Sequence, residues 1–309
     1  MKFLVTGGAG FIGSHIADDL LKAKKGQVVV FDNLSVGKKE DLPEGCKLIK
    51  GDIRKKDEIL KAMDNVDIVF HNAAFVSIRG SFDKDKLKQE LDTNCTGTLN
   101  VLESAAESSA KKIIFASSMA VYGEPPNPIV KESDKVMPLS PYGLSKLRGE
   151  AYCSIFNKHF GINYVCLRYF NTYGMGQTPS HYVGVTTAFI KQALEGKPLT
   201  ICGDGSQTRD FVSVHDITKA NMLAAFSDAN GIFNIGSGKE TSVNQIAERI
   251  IDIVGGSRKH ISNPPGEIKS ICADIKRAKR VLGYKPTGSI LEDLPELIEL
   301  WKSKLGSII

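Results

Sequence analysis

Strand-forming Lys2-Phe3-Leu4-Val5-Thr6 runs without a spacer into Gly7-Gly8-Ala9-Gly10-Phe11-Ile12-Gly13-Ser14-His15. No other stretch narrows the possible folds as much. It satisfies GxGxxG through Gly8, Gly10 and Gly13, and GxxGxxG through Gly7, Gly10 and Gly13. Glycines at these positions permit a tight turn and let backbone N–H groups approach a pyrophosphate, towards which the next helix points its positive dipole end. The apolar run before and the amphipathic stretch after supply the strand and helix that such a loop needs. Asp32 ends the second apolar run, 22 positions after Gly10. A carboxylate there accepts from both ribose hydroxyls of NAD and repels the 2′-phosphate of NADP. NAD is therefore the expected cofactor, with Gly7, Gly10, Phe11, Ile12, Gly13 and Asp32 around it.

Short apolar runs then alternate with longer amphipathic stretches. Residues 2–6, 27–31, 47–50, 68–70, 112–116 and 163–168 are rich in Val, Ile and Phe and lack strict alternation. Strands buried on both faces have this pattern, which predicts a parallel sheet covered by helices. Helical candidates lie at 12–24, 55–63, 86–108 and 142–159. The repeated strand–helix–strand order predicts an α/β fold, a Rossmann-type doubly wound parallel sheet. After about residue 171 the loops lengthen, with helical patterns at 185–195, 216–226, 243–254 and 292–304 and no Ser/Gly linker between the halves. The expected division is a dinucleotide-binding domain over 1–170 that carries most of the chemistry. A smaller C-terminal α/β region, 171–309, would bind substrate and return some elements to the sheet.

Composition excludes several partners. Hydrophobic residues make up 42% of the 309 and charged residues 24%, which rules out disorder, collagen and coiled coil as whole-chain readings. The net charge of +5 comes from lysines scattered along the chain rather than set in a stripe. Nucleic acid is thus not an expected partner. Nor is a membrane, because no apolar segment approaches a span and the N-terminal run is too short for a signal peptide. Cys46, Cys95, Cys153, Cys166, Cys202 and Cys272 include no CxxC pair. No metal site is expected, and the six cysteines read as reduced thiols of a cytoplasmic protein.

In a doubly wound sheet, ligands bind outside the carboxyl ends of the strands. The fifth run ends there in two hydroxyls, Ser117 and Ser118. Downstream comes Ser140-Pro141-Tyr142-Gly143-Leu144-Ser145-Lys146. Pro141 suits the first helical position, which puts Tyr142 in the first turn and Lys146 one turn later on the same face. A phenol of pKa about 10 is a poor base. A lysine charge about 6 Å away, at an effective dielectric of about 20, favours tyrosinate by roughly 2.8 kcal/mol, or about two pKa units. The phenol can then act as a general base near neutral pH. Asp52, in Gly51-Asp52-Ile53 after the third run, either reaches an adenine edge or caps a helix.

Thr6–His15 as TGGAGFIGSH, Asp32-Asn33, His71-Asn72-Ala73-Ala74, Ser117-Ser118, Tyr142-x-x-x-Lys146 and Arg168-Tyr169-Phe170-Asn171 together resemble the extended short-chain dehydrogenase/reductases. The best match is the nucleotide-sugar 4-epimerase branch, the UDP-glucose 4-epimerase-like proteins. The resemblance covers nearly the whole chain, including 203–212 and Gly266-Glu267. It implies a resident NAD and a nucleotide sugar, a UDP-hexose, as substrate. Tyr142 would take the proton of the sugar 4-hydroxyl while hydride leaves C4. Lys146 would hold the nicotinamide ribose, and Ser118 would hydrogen-bond the 4-oxygen. The resemblance adds Asn33, Asp52, Ile53, Ala73, Ala74, Asn94, Tyr142 and Lys146 to the cofactor residues, Asn94 through support of the active-site backbone. It assigns Ser77, Ser118, Asn171, Arg209 and Glu267 to the substrate, with Asn171 and Arg209 on the diphosphate. Taken alone, Asn171 reads as a loop turn, Arg209 as an ion pair with Asp210, and Asp216 as a helix cap. The resemblance also implies a homodimer through the helices at 86–108 and 142–159.

Dehydratases of this family carry Asp-Glu directly after the catalytic Ser or Thr, and decarboxylases carry a Glu in the same stretch. Met119 and Ala120 stand there and transfer no proton. Epimerisation is the expected reaction. Another activity of the same family is the alternative: net oxidoreduction of a nucleotide sugar with the same three residues, with dehydration a minor reading. Pro264 replaces the arginine that epimerases usually set on the diphosphate. The family position near Ile271 limits room beside the sugar, and isoleucine there leaves both the glucose and the N-acetylglucosamine series open. Residues 177–182 resemble the substrate loop of epimerases acting on N-acetylhexosamines or uronates.

Overall fold

The computed structural model describes residues 1–76, 84–177, 184–263 and 268–306. The first half contains β1 (Lys2–Thr6), α1 (Phe11–Lys22), β2 (Gln27–Asp32), β3 (Lys47–Lys50), α2 (Lys56–Ala62) and β4 (Ile68–His71). It continues through α3 (Lys84–Glu90), α4 (Thr98–Ala106), β5 (Lys112–Ser118), β6 (Ile129–Val130), α5 (Pro141–Phe160) and β7 (Asn163–Tyr169). The second half begins with β8 (Asn171–Tyr173), α6 (Val185–Leu194), β9 (Leu199–Cys202), β10 (Thr208–Ser213), α7 (Val214–Ala225) and β11 (Gly231–Ile235). It ends with β12 (Glu240–Ser242), α8 (Val243–Val254), β13 (Arg258–Ile261), β14 (Ser270–Ala273), α9 (Lys276–Leu282) and α10 (Ile290–Gly306).

Seven strands form one wholly parallel sheet in the order β11-β7-β5-β4-β1-β2-β3. The chain starts at β1, winds outward to β3, and then crosses back to β4. Successive residues of each strand enter opposite cores, so both must be apolar. Phe3, Val5, Val28 and Val30 pack with Ile16 and Leu20 of α1 and Ile217 and Ala220 of α7. Leu4, Val29, Phe31 and Val69 pack with Ile59 of α2, Val101 and Leu102 of α4 and Phe156 of α5. This is the expected doubly wound fold, and β11 comes to its edge from the second half. A second sheet runs β12-β10-β14-β6, with β8 also on β10, and β13 pairs with β9. A third core under these strands gathers Phe189, Ile201, Phe211, Ile246 and Trp301.

Two local expectations change. The helix expected at 86–108 is interrupted by a π-helical segment, Leu91–Gly97, between α3 and α4. Within it Asn94 Nδ2 reaches out of the helix to donate to Phe75 O at 2.9 Å, and Gly97 lets the segment approach Ile53, whose Cδ1 would lie 2.6 Å from a Cβ there. Asp216 does not cap α7. Ser213 does, its hydroxyl accepting from His215 N at 3.3 Å. The Asp216 carboxylate instead accepts from Thr287 N at 3.0 Å and Gly288 N at 2.8 Å.

Candidate active site

The carboxyl ends of β1 to β5 and β7 open into one cleft of about 380 Å³. At its floor Gly7 has φ +67°, in the left-handed region, and its N–H donates to Phe31 O at 2.9 Å. A Cβ on Gly13 would overlap the Gly7 carbonyl oxygen, so α1 can start this close to the loop only with glycine there. Asp32 ties the loop to β2: Oδ2 accepts from Ala9 N at 2.9 Å and Oδ1 from Leu34 N at 2.8 Å. Gly7, Gly10, Phe11, Ile12, Gly13, Asp32 and Asn33 all line the cleft.

Asp52 and Ile53 line it as well. Asp52 caps no helix, since α2 starts at Lys56 behind Lys55. Its carboxylate accepts from Arg54 Nη2 at 2.5 Å and Arg54 N at 3.0 Å, and the Arg54 side chain holds it below the usual carboxylate range. Ala73 and Ala74 follow β4 into the wall. Beneath them His71 lies between Thr6 Oγ1 at 2.7 Å and Thr98 Oγ1 at 3.0 Å. Asn94 is not in the lining. It is buried behind the wall, where Oδ1 accepts from Phe75 N at 2.8 Å and Nδ2 donates to Phe75 O and to Ser145 Oγ.

Ser118, Tyr142 and Lys146 reach the cleft from β5 and α5. Ser140 caps α5, its hydroxyl accepting from Gly143 N at 3.1 Å, and Pro141 fills the first turn as its fixed φ allows. Tyr142 then projects inward at 8% exposure, with Lys146 one turn behind at 4%. The Lys146 ammonium donates to Ala116 O at 2.7 Å and lies 5.7 Å from the Tyr142 ring centroid. Burial pushes it down to about 8. The arrangement can take a proton at one hydroxyl and hold the resulting oxygen beside another.

Asn171 lines the cleft, while Arg209 is outside the described lining. Arg209 Nη1 donates to Thr208 O at 2.7 Å. The Asp210 carboxylate is turned to Ser237, Gly238 and Ala273, accepting from their N–H groups at 2.7, 2.9 and 3.1 Å. Ile271, expected beside the sugar, is fully buried in β14 in register with Arg209. Ser77, Pro264 and Glu267 lie outside the described residues.

The structure adds Arg54, Asn72, Gln89, Thr93, Gln177 and Thr186 to the lining. Asn72 and Arg54 had a sequence signal: an amide beside an apolar run, and a cation two residues after Asp52. Gln177 begins the stretch read as a substrate loop, whose residues 178–182 lie outside the described residues, and the other three had none. Asn72 Nδ2 and Oδ1, Asn171 Oδ1 and Thr186 Oγ1 are buried without hydrogen-bond partners among the described residues. Unsatisfied groups of this kind cost about 1–3 kcal/mol each, and polar groups of a ligand in this cleft are the natural partners. A glycine loop at a helix start together with these atoms fits a dinucleotide and a polar second ligand. Among the described residues no group of three or more His, Cys, Asp or Glu is placed to hold a metal ion, and no helix is long and apolar enough to cross a membrane.

Residues 3–236 match the sequence model of the NAD dependent epimerase/dehydratase family. The chain belongs to this family. Its similarity to solved structures extends well past the matched span. A UDP-N-acetylglucosamine 4-epimerase from Methanobrevibacter ruminantium, in complex with UDP-N-acetylmuramic acid, is 38% identical over 98% of both chains, with TM-score 0.92. The UDP-glucose 4-epimerase of Thermotoga maritima, with UDP-glucose, is 35% identical over 99% of this chain and 100% of that one, with TM-score 0.94. The UDP-glucuronic acid 4-epimerase of Bacillus cereus, in complex with UDP-glucuronic acid and NAD, is 36% identical over 98% and 100%, with TM-score 0.91.

Proposed function

We propose that the protein is an NAD-dependent 4-epimerase of a UDP-hexose, with UDP-glucose and UDP-galactose as the first pair and UDP-N-acetylhexosamines as a second. The observation that carries this reading is the Tyr142–Lys146 pair, one turn apart on α5 and lining one cleft with Ser118 and the glycine loop. The names of the family and of its solved relatives supply the substrate class. Gly7, Gly10, Phe11, Ile12, Gly13, Asp32, Asn33, Asp52, Ile53, Ala73 and Ala74 hold NAD, with Asn94 bracing the wall behind them. Bound NAD supplies the hydride acceptor and donor.

Tyr142 takes the 4-hydroxyl proton, and Ser118 donates to the 4-oxygen. Lys146 holds the nicotinamide ribose and favours the phenolate. The 4-keto sugar turns within the cleft, and Tyr142 returns the proton after hydride reaches the other face. Asn171 binds the diphosphate. Arg209 joins it, since it shares a face of β10 with Phe211, which lines the cleft. Ser77 and Glu267 complete the substrate residues by family likeness. In this division 1–170 holds NAD and the proton-transferring groups, and 171–309 mainly encloses the sugar nucleotide. Met119 and Ala120 offer no acid or base for elimination or decarboxylation.

Leu87 of α3, Leu91 of the π-helical segment, and Leu144 and Ile155 of α5 are exposed at 43, 49, 59 and 50%. These helices are where a homodimer would pair, and a monomeric mass by light scattering overturns that assembly. All six cysteines are free, which fits a reducing, cytoplasmic setting. Proton NMR of the purified protein with UDP-glucose, UDP-N-acetylglucosamine and UDP-glucuronate tests the function. The expected result is the 4-epimer of at least one, with no net NADH. Stoichiometric NADH would favour net oxidoreduction, and no product from any of the three would overturn the reading.

A further inference from the structure

Tyr142, Lys146 and Glu150 stand at i, i+4 and i+8 on α5 and share one face. Glu150 has no part in the chemistry above and does not line the cleft. Its side chain is 3% exposed, and both carboxylate oxygens are engaged. Ser117 Oγ donates to Oε1 at 2.5 Å. Arg168, on β7, donates to Oε1 from Nε at 2.8 Å and to Oε2 from Nη2 at 2.7 Å. The Arg168 guanidinium is itself fixed, 4.8 Å from the Tyr122 ring centroid, and Tyr122 OH donates to Asn234 Oδ1 at 2.7 Å.

Stability alone is a poor account of this cluster. A buried ion pair regains by attraction roughly what its desolvation costs, and apolar residues of similar volume often serve as well or better. Geometry is a better account. Lys146 is bound to Ala116 and Glu150 to Ser117, so successive residues of β5 grip positions one turn apart on α5. Two fixed points on one face set both the rotation and the slide of the helix against the strand. The next residue of that strand is Ser118. The planar Arg168 fork holds the carboxylate in one orientation, which a lysine would not do.

We propose that Glu150, clamped by Arg168 and bound to Ser117, is the positioning residue that sets the Tyr142–Lys146 pair in register with Ser118. Which reaction the register serves rests on the epimerase reading; the register itself rests on the contacts. A misplacement on the order of 1 Å costs about 10²-fold in rate. The loss falls on kcat, because Glu150 touches neither the glycine loop nor the substrate.

The test uses the full-length, NAD-loaded protein. Glu150→Leu/Arg168→Met removes both charges together, Ser117→Ala cuts the serine link alone, and Ser117→Thr restores a hydroxyl. The double variant is expected to melt at or above the wild-type temperature. Its KM and retained NAD stay within about twofold, while kcat falls at least about tenfold. Hydrogen exchange of the 142–150 amides quickens by about the same factor. Ser117→Ala shows a smaller form of the same pattern, and Ser117→Thr returns kcat towards wild type. A folded double variant with kcat and exchange within about twofold of wild type overturns the proposal, as does a loss carried by KM or NAD retention. Should the double variant not fold, the two Ser117 variants decide by the same criteria. If the wild type epimerises no sugar of the panel, the functional reading fails, and the exchange measurement alone decides the register.

Discussion

The Lys146 ammonium lies 5.7 Å from the centroid of the Tyr142 ring while donating to the Ala116 carbonyl at 2.7 Å. Burial pushes this lysine down to about 8. An unfolded lysine keeps its proton to about pH 10.4, so the native state releases it first. The buried charge therefore weighs on stability below about pH 8, and its cost fades between there and about pH 10.4. Activity runs the other way, because the phenolate loses its neighbouring cation as the pH rises through 8. The expected pH–rate profile falls on the alkaline side with an apparent pKa near 8, that of the buried Lys146 ammonium. Lys146→Arg, whose charge persists above pH 12, should carry that limb out of range whatever rate it retains. A wild-type profile flat to about pH 10 would take the lysine out of the proton transfer.

Tyr142→Phe removes only the phenolic oxygen from a buried residue of α5 that lines the cleft. We expect kcat to fall by about 10²–10⁴-fold, the usual worth of a positioned base. Retained NAD and the melting temperature should hardly move. Turnover at the wild-type rate would place the base elsewhere, and loss of NAD would make Tyr142 part of the binding surface first.

Gly10 and Gly13 should separate binding from folding. Among the described residues a Cβ on Gly10 would meet only the Gly7 carbonyl, at 3.2 Å, whereas one on Gly13 would overlap that oxygen and lie 2.8 Å from Gly8 Cα. Gly13→Ala forces α1 away from the loop and is expected to cost about 1–3 kcal/mol of stability, the usual size of an overpacking defect. Gly10→Ala should melt within a few degrees of wild type and still lose most of its NAD, because a methyl stands where the pyrophosphate approaches the backbone. Equal melting temperatures for the two variants would contradict this assignment.

Asp32 holds the loop at Ala9 N and the turn at Leu34 N while facing the cleft. Asp32→Ala should weaken NAD at least about tenfold, about 1.4 kcal/mol. NADP should weaken less, since the carboxylate that repels its 2′-phosphate is gone. Fluorescence titration with NADH and NADPH reads both. A uniform loss for the two would confine Asp32 to a loop-holding role.

What the sequence disclosed follows from how local each signal is. The glycine loop, the Tyr142–Lys146 spacing and the apolar strands are complete within a few residues, so they were legible. The π-helical segment was not, because within it Asn94 reaches out of the helix to Phe75, 19 residues away. Asp216 looks like a cap, yet Ser213 sits at the helix start and leaves Asp216 for Thr287, 71 residues on. Gln89, Thr93 and Thr186 enter the cleft only through how α3, the π-helical segment and α6 are laid over it. No short window of sequence encodes that placement. The fully buried position of Ile271 likewise depends on its pairing with β10.

His71 joins the first strand to α4 beneath the cleft wall, through Thr6 and Thr98. Burial, with the nearby Lys146 charge adding to it, pushes its imidazole down to about 3. An unfolded histidine titrates near 6.5, so over this range the unfolded chain binds the proton and the native one does not. The stability His71 contributes is therefore complete above about pH 6.5 and is lost as the pH falls towards 3. His71→Gln can still bond both threonines but does not titrate. We expect it to cost about 1 kcal/mol at pH 7, through imperfect replacement of the two hydrogen bonds. Its melting temperature should fall less steeply than wild type between about pH 6.5 and 4, so the two curves converge in acid. Thermal melts across that range read the difference directly, and parallel curves would show that His71 takes no part in acid unfolding.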